Sequence, residues 1–218
     1  IAPGSKFADL LAERTAHFVA ASDRPDDGAG VELTPLVRTV TADTIEYEYL
    51  SVAIDRDLQT ATITLAGPAD VRTPSPDELV AEGAGAWLLA AARQLDDAML
   101  RLRFNELTIG TWVLKTIGDP DAVIAHEQAI APSVDHWLAR ELRLYWQRVF
   151  KRLDLSARSI VALIEPGSAF AGMLAELAFA ADRTYMLEGT WDDADDDRAD
   201  LAPATLTLTA ANVSAGAP

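Results

Sequence analysis

The stretch from Arg158 to Leu187, RSIVALIEPGSAFAGMLAELAFAADRTYML, leaves few folds open. The apolar run Ile160 to Ile164 predicts a buried strand, and Glu165-Pro166-Gly167-Ser168 predicts a turn. The small-residue segment from about Ala171 to Ala181 predicts a helix, and Thr184 to Leu187 a second strand. A strand that runs through a glycine turn into a helix start leaves backbone N–H groups aimed at one place. Donors so arranged can stabilise an oxyanion.

Similar units recur upstream. Ser5 to Ala21 has apolar residues at helical spacing, with Ser5 as its cap, and Asp23 to Gly30 reads as a polar linker. Residues 1–30 are therefore read as a helix and linker from a preceding domain, and 31–218 as one domain, incomplete at its C-terminus. Leu36 to Val40, Ile45 to Ile54 and Ala61 to Leu65 read as strands, the last two joined as a hairpin across Asp55-Arg56-Asp57. Gly67 to Gly83, with Pro68, Pro74 and Pro76, reads as loop. Ala84 to Phe104 is expected to be a helix, Leu107 to Thr116 a buried strand, and Asp119 to Ile130 a turn and short helix. Pro132 to Leu153 reads as a long amphipathic helix capped by Ser133, and Leu206 to Leu208 as a last short strand. Strand–helix–strand repetition argues for an α/β fold with parallel pairing.

Several functions are excluded or disfavoured. The chain lacks cysteine, which removes disulfides, thiolate catalysis and cysteine metal sites. The formal net charge of −16 opposes nucleic-acid binding. The densest basic run (Arg140, Arg143, Arg148, Lys151, Arg152, Arg158) reads as a solvated helix face. No apolar run is long enough for a membrane span and no secretory signal opens the sequence, so a cytoplasmic location is the default. The acidic run Asp192 to Asp200 lacks the glycine and terminal glutamate of a calcium loop. His17, His126 and His136 show no metal-ligand spacing. Trp87, Trp112, Trp137 and Trp146 fall on faces expected to be buried, and Trp191 could anchor an interface.

The Glu165 to Leu187 segment resembles the crotonase (enoyl-CoA hydratase/isomerase) superfamily. Gly167, Gly172, Glu176-Leu177-Ala178 and Asp182 fill the places of its strand, glycine-turn and helix pattern. Weaker similarity runs from about Tyr47 to Leu187. The resemblance implies a crotonase-like spiral of ββα units. It is closer still to a two-half carbon–carbon lyase within the superfamily, and this chain would be the second half. That implies water-driven ring opening of 2,3-epoxybenzoyl-CoA, giving 3,4-dehydroadipyl-CoA semialdehyde and formate. The expected partners are a CoA-thioester substrate, the preceding crotonase-like half and further copies of the protein. No metal or other cofactor is implied, CoA being part of the substrate.

The resemblance also implies site residues. Two N–H groups would bind the thioester oxygen, one from the region Ala122 to Ala125, centred on Val123, the other from Gly172 or Met173. Glu176 lies where some family members carry a catalytic glutamate, although a helix glutamate can equally pair with an arginine. Glu165 is the nearest second carboxylate in sequence, and it could instead accept turn N–H groups. His126 and Glu127 follow the first loop, where a histidine could move a proton. The family places consecutive glycines where this chain has Gly172-Met173-Leu174. Two bulky residues would crowd a thioester there, so a structural, oligomer-forming role is expected for this half. An independent enoyl-CoA hydratase or isomerase site using Glu176, and a non-catalytic interaction module, are the alternatives.

Overall fold

The computed structural model describes residues 3–23, 28, 30–132, 134–189 and 202–214. The chain divides into two compact units, Ile1–Val31 and Glu32–Pro218. The first holds helix α1 (Gly4–Ala20). Its cap is Pro3, two residues before the expected Ser5, and no side chain, Ser5 included, caps it.

The second unit is built on a seven-stranded sheet in sequential order, from β1 to β7. Strands β1 (Thr39–Val40), β2 (Thr44–Glu46), β3 (Leu50–Asp55) and β4 (Thr60–Ala66) pair antiparallel. Strands β5 (Thr111–Ile117), β6 (Ser159–Ile164) and β7 (Arg183–Met186) continue from β4 in parallel. The hairpin across Asp55-Arg56-Asp57 forms as its alternation predicts. The single strand expected over Ile45 to Ile54 is two strands, because Tyr47-Glu48-Tyr49 turns the chain back on itself. That turn has distant partners: Tyr49 N–H donates to Gln94 Oε1 at 2.8 Å, and Tyr47 O–H to Asp97 at 2.6 Å. Burial and the neighbouring Asp97 charge raise the Tyr47 phenol above its ordinary range.

Register fixes the core. Ile54, Ala61, Trp112 and Ile160 lie in one row across four strands, and Val52, Ile63, Leu114 and Ala162 in the next. All eight are buried, as the two-residue period of a strand requires when one face is covered. Helices α2 (Pro76–Glu82) and α3 (Trp87–Asn105) follow β4, α4 (Pro120–Gln128) and α5 (Trp137–Asp154) follow β5, and α6 (Glu176–Phe179) precedes β7. A terminal helix, α7 (Ala210–Ser214), closes the described chain.

The prolines of 67–83 do not make it all loop. Ser75 accepts from Glu78 N–H while the Glu78 carboxylate accepts from Ser75 N–H, a capping box with Pro76 at the first helical position. Ser75→Ala is expected to cost about 1 kcal/mol. Faster amide exchange confined to 76–82 would report it, and unchanged exchange would show that packing of Leu79 alone holds the helix.

Helix α5 starts at Trp137, later than expected, with the His136 ring accepting from Leu138 N–H. Ser133 lies outside the described residues. Trp137 is exposed, contrary to expectation, because it falls on the outer stripe of α5 with Glu141, Leu144 and Arg148 rather than on the stripe of Leu138, Leu142 and Trp146. Trp87, Trp112 and Trp146 are buried as expected. Trp191 and the Asp192 to Asp200 run also lie outside the described residues.

Candidate functional site

The diagnostic segment turns where expected. Ser168 Oγ accepts from Glu165 N–H at 2.9 Å and Ser168 N–H donates to the Glu165 carbonyl at 2.9 Å. Gly167 sits at a φ of +81°, which a side chain would strain. The expected helix from Ala171 is shorter than its composition suggests. Residues Gly172–Ala175 form a 3-10 turn and only Glu176–Phe179 are α-helical. Gly172, at a φ of +46°, prevents a regular helical start. Asp182 fixes the far end, accepting from Ile160 N–H at 2.8 Å while its own N–H donates to the Ile160 carbonyl at 2.9 Å. That pair starts the β6–β7 alignment.

Around this turn lies a cavity of ≈ 350 Å³. Its apolar wall includes Ile124 in α4 and Ile130 just after it, Trp146 and Phe150 from α5, and Met173. Glu127, Glu176, Thr209 and Asn212 supply polar atoms, and Arg143 also lines it. Glu127 and Glu176 are 8% and 9% exposed, so two carboxylates share a largely apolar enclosure. Hydrogen bonds link them through the C-terminal segment. Thr209 O–H donates to Glu127 Oε1 at 2.6 Å, Asn212 Nδ2 to Glu176 Oε1 at 2.5 Å, and Thr209 N–H to Asn212 Oδ1 at 2.9 Å.

The backbone donors are engaged as well. Gly172 N–H donates to the Thr207 carbonyl at 2.9 Å, and Thr207 N–H to the Phe170 carbonyl at 3.0 Å. Thus the segment expected as a last strand, Leu206 to Leu208, contributes an isolated bridge between Thr207 and Ala171. Met173 N–H donates to Glu127 Oε2. Val123 N–H donates to the carbonyl of Asp119, the cap residue of α4, at 3.3 Å. Each of the three positions expected to supply an oxyanion donor therefore has its N–H bonded within the chain.

Of the expected residues, the structure brings Gly172, Met173 and Glu176 together. Glu165 is not among the residues lining the cavity; its carboxylate pairs with the Lys115 ammonium across β5 and β6. The carboxylate that shares the cavity with Glu176 is Glu127. Sequence spacing could not single it out, because its hydroxyl partner Thr209 is far along the chain. Thr209 and Asn212 carried no signal at all. His126 is buried, with Nδ1 3.1 Å from the Ala122 carbonyl and its ring edge-on to Trp87. Burial holds its imidazole below the ordinary value, despite the nearby Asp70. Among the described residues no group of three or more His, Asp or Glu could hold a metal ion, and no helix is long and apolar enough to cross a membrane.

No family model matches the chain. It is 44% identical over 183 residues, 84% of its length, to benzoyl-CoA-dihydrodiol lyase from Aromatoleum evansii, and spans 33% of that protein. An enoyl-CoA hydratase structure from Geobacillus kaustophilus superposes with a TM-score of 0.42 at 16% identity, covering 70% of this chain and 48% of that one. An enoyl-CoA hydratase/isomerase structure from Marinobacter aquaeolei gives 0.39 at 16% identity, covering 63% and 48%. Across most of its length, then, this chain is similar to about one third of benzoyl-CoA-dihydrodiol lyase, and its seven-stranded sheet and helices make the α/β fold that strand–helix–strand repetition predicts.

Proposed function

We propose that the chain is the second crotonase-like part of a carbon–carbon lyase of the benzoyl-CoA-dihydrodiol type. Its role there is scaffold and association surface rather than seat of the chemistry. The identity to the Aromatoleum evansii lyase supports the parent activity: water opens the ring of 2,3-epoxybenzoyl-CoA, giving 3,4-dehydroadipyl-CoA semialdehyde and formate. The CoA thioester is the substrate, with no metal or redox cofactor. The partners are the preceding half of the same protein and further copies of it, in the cytoplasm.

The observation that carries the structural role is the Glu127 carboxylate on Met173 N–H. An oxyanion hole works because free donors face the atom that gains negative charge. Here a carboxylate already faces that donor. Two unit charges of like sign at 4 Å repel by about 4 kcal/mol at an effective dielectric constant of ~20. That repulsion would raise the barrier for any step that puts charge on a thioester oxygen in this place.

Glu176→Gln in the full-length protein is therefore expected to leave turnover of the epoxide within a few-fold of wild type. Losing a general acid or base costs roughly 10²-fold or more. A loss of that size, with the fold intact by circular dichroism, would move the chemistry into this part of the protein.

A further inference from the structure

The Gly172-Met173 turn has an occupant. Glu127 reaches it from the last turn of α4 and is held there on both oxygens. Oε2 accepts from Met173 N–H, and Oε1 accepts from the Thr209 hydroxyl. Among the described residues no cation pairs with it. A buried carboxylate without a counter-ion needs its hydrogen bonds to stay in place. The fit is close on its other side too. A Cβ added at Gly172 would lie 2.1 Å from Glu127 Oε2 and 2.9 Å from its Cδ. The glycine of the motif thus makes room for a side chain of the chain itself.

We propose that Glu127 determines what this cavity refuses: it is a tethered anion that fills the amide position and excludes carboxylate and thioester groups from an otherwise receptive apolar cavity. The inference rests on the reading that this part is not the seat of the chemistry, and it names the residue responsible. The cavity is of a size that takes a small ligand, and its wall of Ile124, Ile130, Trp146 and Phe150 suits an aromatic ring. With the tethered carboxylate gone, the Met173 N–H loses its acceptor and the Thr209 hydroxyl keeps only the 3.4 Å contact with Asn212 Oδ1. A free aromatic carboxylate supplies both the acceptor oxygens and the apolar contact.

The test is calorimetric titration of the full-length protein with benzoate, using benzyl alcohol as the same ring without the carboxylate. Glu127→Ala is expected to show one benzoate site per chain more than wild type, and no additional site for benzyl alcohol. Glu127→Gln keeps the space filled and is expected to gain none. Equal numbers of benzoate sites in wild type and a folded Glu127→Ala protein overturn the proposal, as does a gained site in Glu127→Gln. If Glu127→Ala does not fold unaided, refolding in benzoate replaces the titration. Recovery with benzoate but not benzyl alcohol is the expected result, and recovery with neither overturns it. Turnover plays no part in these readings, so their failure is distinguishable from failure of the lyase reading.

Discussion

Trp146→Ala is expected to destabilise the second unit by about 3–5 kcal/mol, the usual scale for truncating a buried tryptophan. Trp146 is 2% exposed on the inner face of α5, where its ring centroid lies 5.3 Å from Phe150 and 6.1 Å from Trp87. Its indole N–H donates to the Leu88 carbonyl at 2.8 Å, in the first turn of α3. Trp87 in turn donates to the Ala66 carbonyl at 3.0 Å, at the end of β4. The two indoles therefore connect α5 to α3 and α3 to the sheet. Truncation removes the ring contacts and the hydrogen bond together, and because Trp146 also walls the ≈ 350 Å³ cavity, the vacated volume merges with space already there. Collapse cannot recover much of the loss. Trp146→Phe keeps most of the apolar contact and gives up the hydrogen bond, and is expected to cost about 1–2 kcal/mol. Trp137→Ala, at an exposed position on the same helix, is expected to stay within about 0.5 kcal/mol. Urea midpoints at constant slope decide among the three. A Trp146→Ala cost no larger than that of Trp137→Ala would mean that α5 is not held to α3 through this residue.

What the sequence discloses about this fold depends on how local the deciding contacts are. The strands β4, β5 and β6 are legible because one buried face imposes a period of two or an unbroken apolar run, and residues such as Trp112 and Ile160 declare it without help. Helix α2 carries a local signal as well, the capping box Ser75-Pro76-Asp77-Glu78, which a loop reading built on three prolines leaves unused. The break at Tyr47-Glu48-Tyr49 was not legible: a Tyr- and Val-rich run predicts continuous strand, and the bonds that turn it come from Gln94 and Asp97 on α3. The site divides in the same way. Gly172, Met173 and Glu176 are visible from the motif. Their partners Thr207, Glu127 and Asn212 are set by tertiary contact alone, and those partners determine what the motif can do in this chain. The resemblance points to Gly172 and Met173 as donors, but it cannot show that both N–H groups are bonded within the chain.

Gly172→Ala carries the second large effect, expected at about 2–4 kcal/mol, and its origin can be separated by a double-mutant cycle. Two costs combine. The left-handed backbone at a φ of +46° strains any residue with a Cβ, by roughly 1–2 kcal/mol. The new methyl also meets Glu127 Oε2 at 2.1 Å, far inside contact distance. A flexible exposed glutamate would swing aside at little cost. Glu127 cannot, because Met173 N–H and the Thr209 hydroxyl hold its two oxygens and the side chain is buried. Displacing it strands a buried amide, a loss of about 1–3 kcal/mol. In a Glu127→Ala background that second cost is already spent, so Gly172→Ala should then cost only the backbone strain. The expected coupling is about 1–2 kcal/mol, with the double variant more stable than the sum of the single effects predicts. Additive costs would mean that the carboxylate does not rest against Gly172, and the glycine would then owe its place to the backbone turn alone.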